Sequence, residues 1–298
     1  MPRTDAALDP DFRSPPFDQF KGIQRLAKDR RGHVSVEYAR HQLYVGIDKQ
    51  RRTSVLIKIT SRPGITYQHN LENEIASLLK IGRAIPESPY FPEVREHGKL
   101  RDGRVYMVSS FFDEFPLANA INTEPTPGKT VAYIRTGLEI ARALAELHRL
   151  RIYHVDLNPM NILLRLEHRR AVIRIIDFES SYDSERHAAG EFYNPPNTPG
   201  YSAPEISSRP PDARADVFSL GAVLYTMLAG YKWRRDVEAG KCLGGDRPLE
   251  SDLEGVLLKA IDQEPEHRYP SIEEFRASLA AYLERIWPGR RNAGWTGE

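Results

Sequence analysis

The sequence is poor in several features that would assign it to a specialised class of protein. It has one cysteine, Cys242, among 298 residues, which excludes an intrachain disulfide and any multi-cysteine metal site. Its formal net charge is +1, so no bulk electrostatic field points to nucleic acid or to an anionic membrane surface. Internal repeats and long low-complexity segments are also missing. These absences leave an ordinary globular protein that binds no nucleic acid.

Long hydrophobic runs are missing as well. The longest apolar helical stretch, "VFSLGAVLYTMLAG" at 217–230, is shorter than the roughly 20 residues that a helix needs to cross a bilayer. It predicts a buried helix instead. The first residues, "MPRTDAALDPDFRSPP", have no apolar core and are not typical of a signal peptide. We therefore expect a cytoplasmic protein without membrane insertion.

The first third of the chain predicts a small, strand-rich unit. The run "SVLIKIT" at 54–60 is β-branched and apolar, as strands are, and "LYVGIDKQRRTS" before it predicts the other strand and the turn of a hairpin. Apolar residues at helical spacing predict a helix over 70–81. The run "VYMVSSFF" predicts a further strand over 105–112.

After about residue 113 the pattern becomes mainly helical. A long amphipathic helix is predicted over 130–150, and Ser271 with Glu274 forms a capping-box pattern that opens the last helix. The other elements predicted here are strands at 161–166 and 171–178, a turn-rich stretch at 179–205, and helices at 216–229, 250–263 and 272–286.

Five short motifs occur in a fixed order along these elements: "VLIK", "NEIASLL", "HVDLNPMN", "DFE" and "GYSAPE". Their order and their placement on strand, helix and loop resemble the eukaryotic-like protein kinases, and the second half of the chain is most similar to bacterial Ser/Thr kinases. The resemblance covers roughly residues 32–286. It implies an α+β, two-lobed protein-kinase-like fold, in which the N-lobe is a small antiparallel sheet with one main helix and the larger C-lobe is mainly helical.

With this resemblance the chain divides into four segments. We predict a flexible N-terminal lead-in at 1–20, the N-lobe at 21–112, the C-lobe at 113–288 and a disordered tail at 289–298.

The resemblance implies ATP and Mg²⁺ as cofactors and assigns polar residues to them. Lys58, at the end of a strand, would hold the α- and β-phosphates and would pair with Glu74 on the helix. Asp156 would accept or orient the hydroxyl of the substrate. Asn161 and Asp177 would bind Mg²⁺ through hard oxygen ligands.

The resemblance also implies which residues line the nucleotide pocket. The residues expected to bind the nucleotide base and to line its pocket are Leu43, Leu56, Ser110, Phe112 and Leu163, the last of which would form the floor.

Three supporting contacts are implied outside the nucleotide pocket. Thr198 is expected to contact Asp156, and Glu205 to form a buried ion pair with Arg268. Asp216 is expected to bind the backbone of the catalytic loop, with an ordinary helix N-cap as its alternative.

The sequence departs from the family around the nucleotide. Counting back from the first hairpin strand, Val36, Tyr38 and His41 stand where the family has glycines that let backbone amides approach phosphates. Leu56 replaces the usual alanine and narrows the predicted pocket. Glu179 replaces the glycine of the D-F-G motif.

Two further departures lie in the catalytic loop. Val155 replaces an arginine that, in many kinases, grips a phosphate on the activation segment, and it has no donor for that purpose. We therefore expect no activation through a phosphate held there. Asn158 replaces a catalytic lysine near the γ-phosphate, so it can orient a group but brings no charge.

Three functional hypotheses follow from this pattern. The first is an ATP- and Mg-dependent protein kinase acting on Ser/Thr hydroxyls, with a protein as substrate and room for a separate regulatory partner. The second is a pseudokinase that serves as a binding or scaffold module, favoured by the missing glycines, Leu56 and Glu179. The third is a small-molecule kinase, favoured by Asn158 and "IDFE" but opposed by "GYSAPE" and "DVFSLG".

Overall fold

The computed structural model divides into two compact units, residues 1–113 and 114–298. The boundary falls one residue beyond the predicted division. The structure describes residues 10–26, 40–61, 65–121, 127–167, 170–229, 234–236, 241–243 and 249–288.

The first unit is an antiparallel sheet of five strands with one long helix. The helix, α1, lies between the third and fourth strands along the chain, and the strand order in the sheet is β1-β2-β3-β5-β4. The elements are β1 (Phe20–Arg25), β2 (His41–Asp48), β3 (Ser54–Thr60), α1 (Ile65–Ala84), β4 (Val94–Lys99) and β5 (Val105–Ser110).

The register of β3 separates a core face of the sheet from a face that carries the predicted site. Val55, Ile57 and Ile59 are fully buried and belong to one apolar cluster. Because successive side chains of a strand point to opposite faces, Leu56 and Lys58 lie on the other face. The alternation that predicted this strand therefore also decides which side chains are available for chemistry.

Residues 10–20 close the core face, so this part of the lead-in, which was predicted to be flexible over 1–20, is ordered; residues 1–9 lie outside the described residues. Phe17, only 1% exposed, packs edge-on against Phe12 and Tyr106 with ring centroids 5.4 and 5.2 Å apart. Phe12 also meets Tyr44 at 4.7 Å. Three aromatic residues within a polar, Pro-rich segment showed no periodicity, so the sequence pattern did not reveal that they complete the core.

The second unit is mainly helical. It contains a three-stranded sheet of order β6-β8-β9, a two-stranded pair of β7 with β10, and the hairpin β11-β12. Its elements are β6 (Phe115–Pro116), α2 (Pro127–Arg149), β7 (Ile152–Tyr153), β8 (Ile162–Glu167), β9 (Arg170–Ile175), β10 (Tyr182–Asp183), α3 (Ser184–Ala188), α4 (Ala213–Ala229), β11 (Arg234–Asp236), β12 (Lys241–Leu243), α5 (Ser251–Ala260) and α6 (Ile272–Ile286).

Helix α4 is the centre of this unit, as its apolar sequence predicts. Its side chains from Ala215 to Met227 are all buried. At Gly221 an added Cβ would lie 2.8 Å from the Cβ of Ala260, so glycine lets α4 and α5 pack closely. No helix among the described residues is long and apolar enough to cross a membrane.

Most predicted elements are present, and two strands that the sequence did not predict share a cause. Strands β1 and β4 form the two edges of the sheet, and their sequences, "FKGIQR" and "VREHGK", are polar because an edge strand has little to bury. The stretch 179–205 also contains β10 and α3 rather than turns alone. The predicted tail at 289–298 lies outside the described residues.

Phe17→Ala tests whether residues 10–20 belong to the core. We expect a loss of about 3–5 kcal/mol in the free energy of unfolding, the usual cost of truncating a buried phenylalanine. Urea unfolding measures it, with Phe115→Ala as the control because Phe115 is 71% exposed. Equal, small effects of the two variants would contradict the packing of this segment.

Candidate active site

In the first unit, Lys58 and Glu74 form a buried ion pair. Lys58 Nζ donates to Glu74 Oε2 at 2.6 Å, and both side chains are at least nine-tenths buried. Strand β3 fixes the lysine and helix α1 the glutamate, so the cation is held at one position by two rigid elements. This confirms the predicted contact and the choice of Glu74 as the partner.

The pair shares its sheet face with apolar side chains. In the antiparallel register Leu43 lies opposite Lys58, and Ser109 lies opposite Leu56, so these four side chains point to the same side. Ser109, which the sequence did not single out, is buried there. The small Ser109 next to Leu56 offsets part of the volume that leucine adds.

Ser110 does not share this face. It lies opposite Val55, and its hydroxyl accepts a hydrogen bond from the N–H of Glu93 at 3.0 Å. Its side chain is therefore on the other side of the sheet from Leu56, so only its backbone could contribute to the predicted nucleotide pocket. Phe112 is half-buried and follows β5.

The predicted phosphate-covering loop falls between β1 and β2. Two of the three positions that carry bulky residues in place of glycine, Val36 and Tyr38, lie outside the described residues. His41 is the first residue of β2 and pairs with Thr60. That position therefore belongs to the sheet and not to a loop.

In the second unit, the catalytic loop is organised around the backbone of Asp156. Two carboxamides donate to its carbonyl oxygen, Asn158 at 3.0 Å and Asn161 at 2.9 Å. The other end of the Asn158 side chain accepts from the N–H of Met160 at 3.0 Å. Asn158 is buried, so both ends of its carboxamide support the loop, whereas the sequence predicted a role at the transferred phosphate.

Val155 has an unusual backbone conformation that Asp216 supports. Its φ is 65°, which is uncommon for a β-branched residue and costs of order 1–3 kcal/mol. The carboxylate of Asp216 accepts from the N–H of His154 at 2.9 Å and from that of Val155 at 2.8 Å. This confirms that Asp216 binds the loop backbone. Helix α4 begins at Ala213, so Asp216 lies in its first turn rather than at the N-cap.

His148 completes this arrangement and was missed by sequence reasoning. It lies in the last turn of the long helix α2, and its Nε2 donates to Asp216 Oδ2 at 2.8 Å. Burial alone would raise the pKa of Asp216, but the hydrogen bond and charge of His148, with smaller contributions from His154 and Val155, hold that pKa below its usual value. Its only signal in the sequence was a histidine in the last turn of a predicted helix.

The two candidate metal ligands come together at one end of the β8-β9 hairpin. Ile162 pairs with Ile175, and the N–H of Ile176 donates to the carbonyl of Asn161 at 2.9 Å, which brings Asn161 beside the residue that precedes Asp177. A carboxylate and a carboxamide oxygen are the hard donors that Mg²⁺ prefers. The donor set therefore fits this ion.

Leu163, the predicted pocket floor, follows Asn161 on β8 and is fully buried. On either side of Asp177 in the chain, His154 contacts its neighbours: its Nε2 donates to the carbonyl of Ile176 at 3.1 Å, and its ring meets Phe178 edge-on at 5.0 Å. Glu179 is buried as well. The residues around Asp177 are thus packed rather than exposed.

The hydroxyl of Thr198 donates to Asp156 Oδ1 at 2.5 Å, which confirms the predicted contact. The residues after it are fixed by α4, because the carbonyl of Tyr201 accepts from the hydroxyl of Ser219 at 2.8 Å. Asp156 therefore receives a hydroxyl in the position from which a carboxylate can take or orient a proton.

Arg268 and Glu205 form the predicted buried ion pair. The guanidinium donates to both Glu205 oxygens at 2.8 and 2.9 Å and to the carbonyls of Asp262, Gln263 and Arg214. Its side chain is 0% exposed and lies 4.8 Å above the ring of Phe218. All the N–H donors of this arginine are used, and lysine cannot match that set.

The first unit has a five-stranded antiparallel sheet with a Lys–Glu pair, and the helical second unit carries the carboxylates of Asp156, Asp177 and Asp216. Two units of this kind define the protein kinase fold. The crystal structure of a double mutant of the PknI kinase domain from Mycobacterium tuberculosis matches with a TM-score of 0.64 and 22% sequence identity, covering 88% of this chain and 96% of that one. The family model for the protein kinase domain matches residues 42–243. The chain belongs to the protein kinase family.

Its curated relatives are bacterial Ser/Thr protein kinases. Pkn1 of Myxococcus xanthus is 31% identical over 198 residues, which is 60% of this chain and 28% of that protein. PknG of Mycolicibacterium smegmatis is 28% identical, covering 61% and 22% respectively. PknB of Mycobacterium tuberculosis is 29% identical, covering 58% and 30%. The matched region is less than a third of each of these relatives.

Arg268→Lys tests the buried ion pair while keeping the charge. We expect a loss of about 3–5 kcal/mol in the free energy of unfolding, because lysine has three N–H donors for the five bonds that Arg268 makes and therefore leaves buried acceptors without partners. Urea unfolding measures it. The control is Arg142→Lys in the exposed pair with Glu139, where a change within about 0.5 kcal/mol is expected. Similar values for both variants would contradict the geometry.

Asp216→Asn tests the charge beneath the catalytic loop. Because the pKa of Asp216 is lowered in the folded state, its charge stabilises the fold at pH values above its unfolded pKa of about 3.9. The stability that the variant has lost at pH 7 should therefore shrink as the pH falls below about 4. Urea midpoints between pH 7 and pH 3 measure this difference, and a constant difference would contradict the assignment.

Proposed function

We propose that this chain is an ATP- and Mg²⁺-dependent protein kinase that transfers the γ-phosphoryl group to Ser or Thr hydroxyls of protein substrates. The observation that carries the proposal is the bond from the Thr198 hydroxyl to Asp156 at 2.5 Å. A catalytic carboxylate must face the hydroxyl that reacts. The loop holds the Asp156 carboxylate in such an orientation, although the nearby Val155 and Asn158 depart from the family pattern.

Asp156 is the residue that handles the proton. Its backbone is fixed by two carboxamide donors. Its carboxylate therefore needs little reorganisation when a substrate hydroxyl binds beside it. As the bond from the substrate oxygen to the γ-phosphorus forms and the bond to the ADP oxygen breaks, the hydroxyl proton passes to Asp156. ADP leaves with the electron pair of the broken bond.

Mg²⁺ would be held by Asn161 and Asp177. When bound, this ion neutralises charge on the phosphate oxygens. Asn161 is oriented for that role because its amide nitrogen donates to Asp156, which leaves its carbonyl oxygen as the ligand atom. Lys58, fixed by Glu74, would hold the phosphates that are not transferred. The apolar residues Leu43, Leu56 and Leu163 would contact the base.

A protein is the substrate that the surrounding structure favours. The Glu205–Arg268 pair and the Tyr201–Ser219 bond support the segment that the family uses to bind peptide substrates. The relatives' names supply the Ser/Thr class. The use of ATP makes the cytoplasm the expected compartment, and any regulatory partner would be a separate component.

A pseudokinase is the second candidate, and one observation favours it. The carboxamide of Asn158 is turned into the loop, so it brings neither a charge nor a donor to the γ-phosphate, where protein kinases have a lysine. A protein that bound nucleotide without transferring phosphate would tolerate this. The two candidates differ in phosphate transfer and not in fold.

The test is transfer from γ-labelled ATP with Mg²⁺ to a generic protein substrate. We expect labelled protein from the wild type, and a decrease in kcat of about a hundredfold or more for Asp156→Asn, because general base catalysis contributes about 10²–10⁴-fold. Arg142→Gln, at an exposed ion pair, is the matched surface control and should retain full activity.

Two outcomes would contradict the proposal. Wild-type protein that is stabilised by nucleotide but transfers no phosphate would identify a pseudokinase. ATP turnover without labelled protein, abolished by Asp156→Asn, would identify a small-molecule kinase.

A further inference from the structure

The activation segment, residues 177–205, includes strand β10 and helix α3. Strand β10 pairs with β7, so that Tyr182 lies opposite Tyr153 and Asp183 opposite Ile152. The N–H of Ser184 also donates to the carbonyl of Arg151 at 3.0 Å. The start of the segment is therefore fixed beside the strand that leads into the catalytic loop.

Val155 stands where many kinases have the arginine that grips a phosphate, and its fully buried side chain has no hydrogen-bond donor. Something else must therefore hold the middle of the segment, between Ser184 and Thr198. Two acidic side chains and one basic side chain of the segment itself occupy that role.

Asp183 is a fully buried carboxylate, 0% exposed. It accepts from the N–H groups of Glu185 at 3.0 Å and Arg186 at 3.4 Å, and from Nε of Arg186 at 3.3 Å. A buried carboxylate is costly unless it is paired and hydrogen-bonded. Arg186 provides the charge that compensates it.

Arg186 also reaches forward along the chain. Its Nη1 donates to Glu191 Oε2 at 3.0 Å, so one guanidinium joins the start of the segment to its middle. In a phosphorylated segment, a phosphate anion is held by arginine cations. Here one cation is held between two carboxylates, so the signs are reversed, but opposite charges again connect distant points of one segment.

Aromatic rings reinforce the same connection. Tyr182 stacks on His187 with centroids 4.9 Å apart, and Tyr193 meets these two rings edge-on at 5.0 and 5.4 Å. The N–H of Asp183 donates to His187 Nδ1 at 3.0 Å. His187 Nδ1 also lies 2.9 Å from the carbonyl oxygen of Asp183, and burial together with the charge of Arg186 lowers the pKa of His187.

We infer that Arg186 is a positioning residue that, with Asp183 and Glu191, locks the activation segment in its ordered form in place of a phosphate. These three residues are called the 183–191 clasp. The clasp holds the segment that places Thr198 against Asp156, and through it the geometry of the transfer reaction. Its effect on turnover rests on the proposed kinase function, whereas its effect on order in the segment does not.

The experiment compares Arg186→Gln with Arg142→Gln. Arg142 forms the same kind of pair three residues apart, with Glu139, on the exposed surface of α2, so it controls for the loss of an arginine. Hydrogen exchange over residues 182–198 is measured first. We expect exchange in Arg186→Gln to be faster by about tenfold or more, because local opening no longer breaks a buried charge pair, and no change in Arg142→Gln.

Turnover is measured second, on phosphatase-treated protein. We expect kcat to fall by about tenfold in Arg186→Gln with the KM for ATP unchanged, because the effect is on positioning and not on nucleotide binding. Arg186→Lys should recover part of the loss, since it keeps the charge. Phosphatase treatment of the wild type should leave kcat unchanged.

Unchanged exchange in Arg186→Gln would overturn the inference, as would a wild type whose turnover falls many-fold on phosphatase treatment. If the wild type transfers no phosphate at all, the proposed function fails, and the exchange measurement alone still decides whether the clasp orders the segment.

Discussion

The carboxylate of Asp216 is fully buried and accepts N–H groups from His148, His154 and Val155. Removing a charge from water is costly, and the cost is offset only because a helix end and two loop amides converge on it. The reverse also holds: without this acceptor, the amides of the loop would be buried without partners, and the left-handed conformation of Val155 would lose its support. Because Asp156 follows Val155 directly, Asp216 also determines where the backbone of Asp156 lies.

The same logic recurs in the other buried charges of the protein. Lys58 with Glu74, and Arg268 with Glu205, are each nearly or fully removed from solvent, and each charge has an opposite charge within hydrogen-bond distance. Such pairs add little net stability compared with apolar packing, but breaking one leaves a buried charge uncompensated. They therefore specify where elements must lie.

The sequence was sufficient for the elements with strong periodicity and for the contacts between motif residues. Periodicity predicted the central strands and long helices, and the order of the motifs predicted the pairs of Lys58 and of Arg268. It failed where a side chain's role depends on local backbone geometry or on exposure. The edge strands are polar, His148 belongs to none of the motifs, and the direction of the Asn158 carboxamide is set by the turn it closes.

The aromatic cover that residues 10–20 provide on the outer face of the small sheet also bears on how the protein can be recognised. A protein that bound this face would first have to displace the side chains of Phe12 and Phe17, which belong to the same chain. Its apparent affinity would be reduced by the fraction of molecules in which the cover is open. Partners that leave the cover in place pay no such penalty. The face is thus protected by competition within the chain.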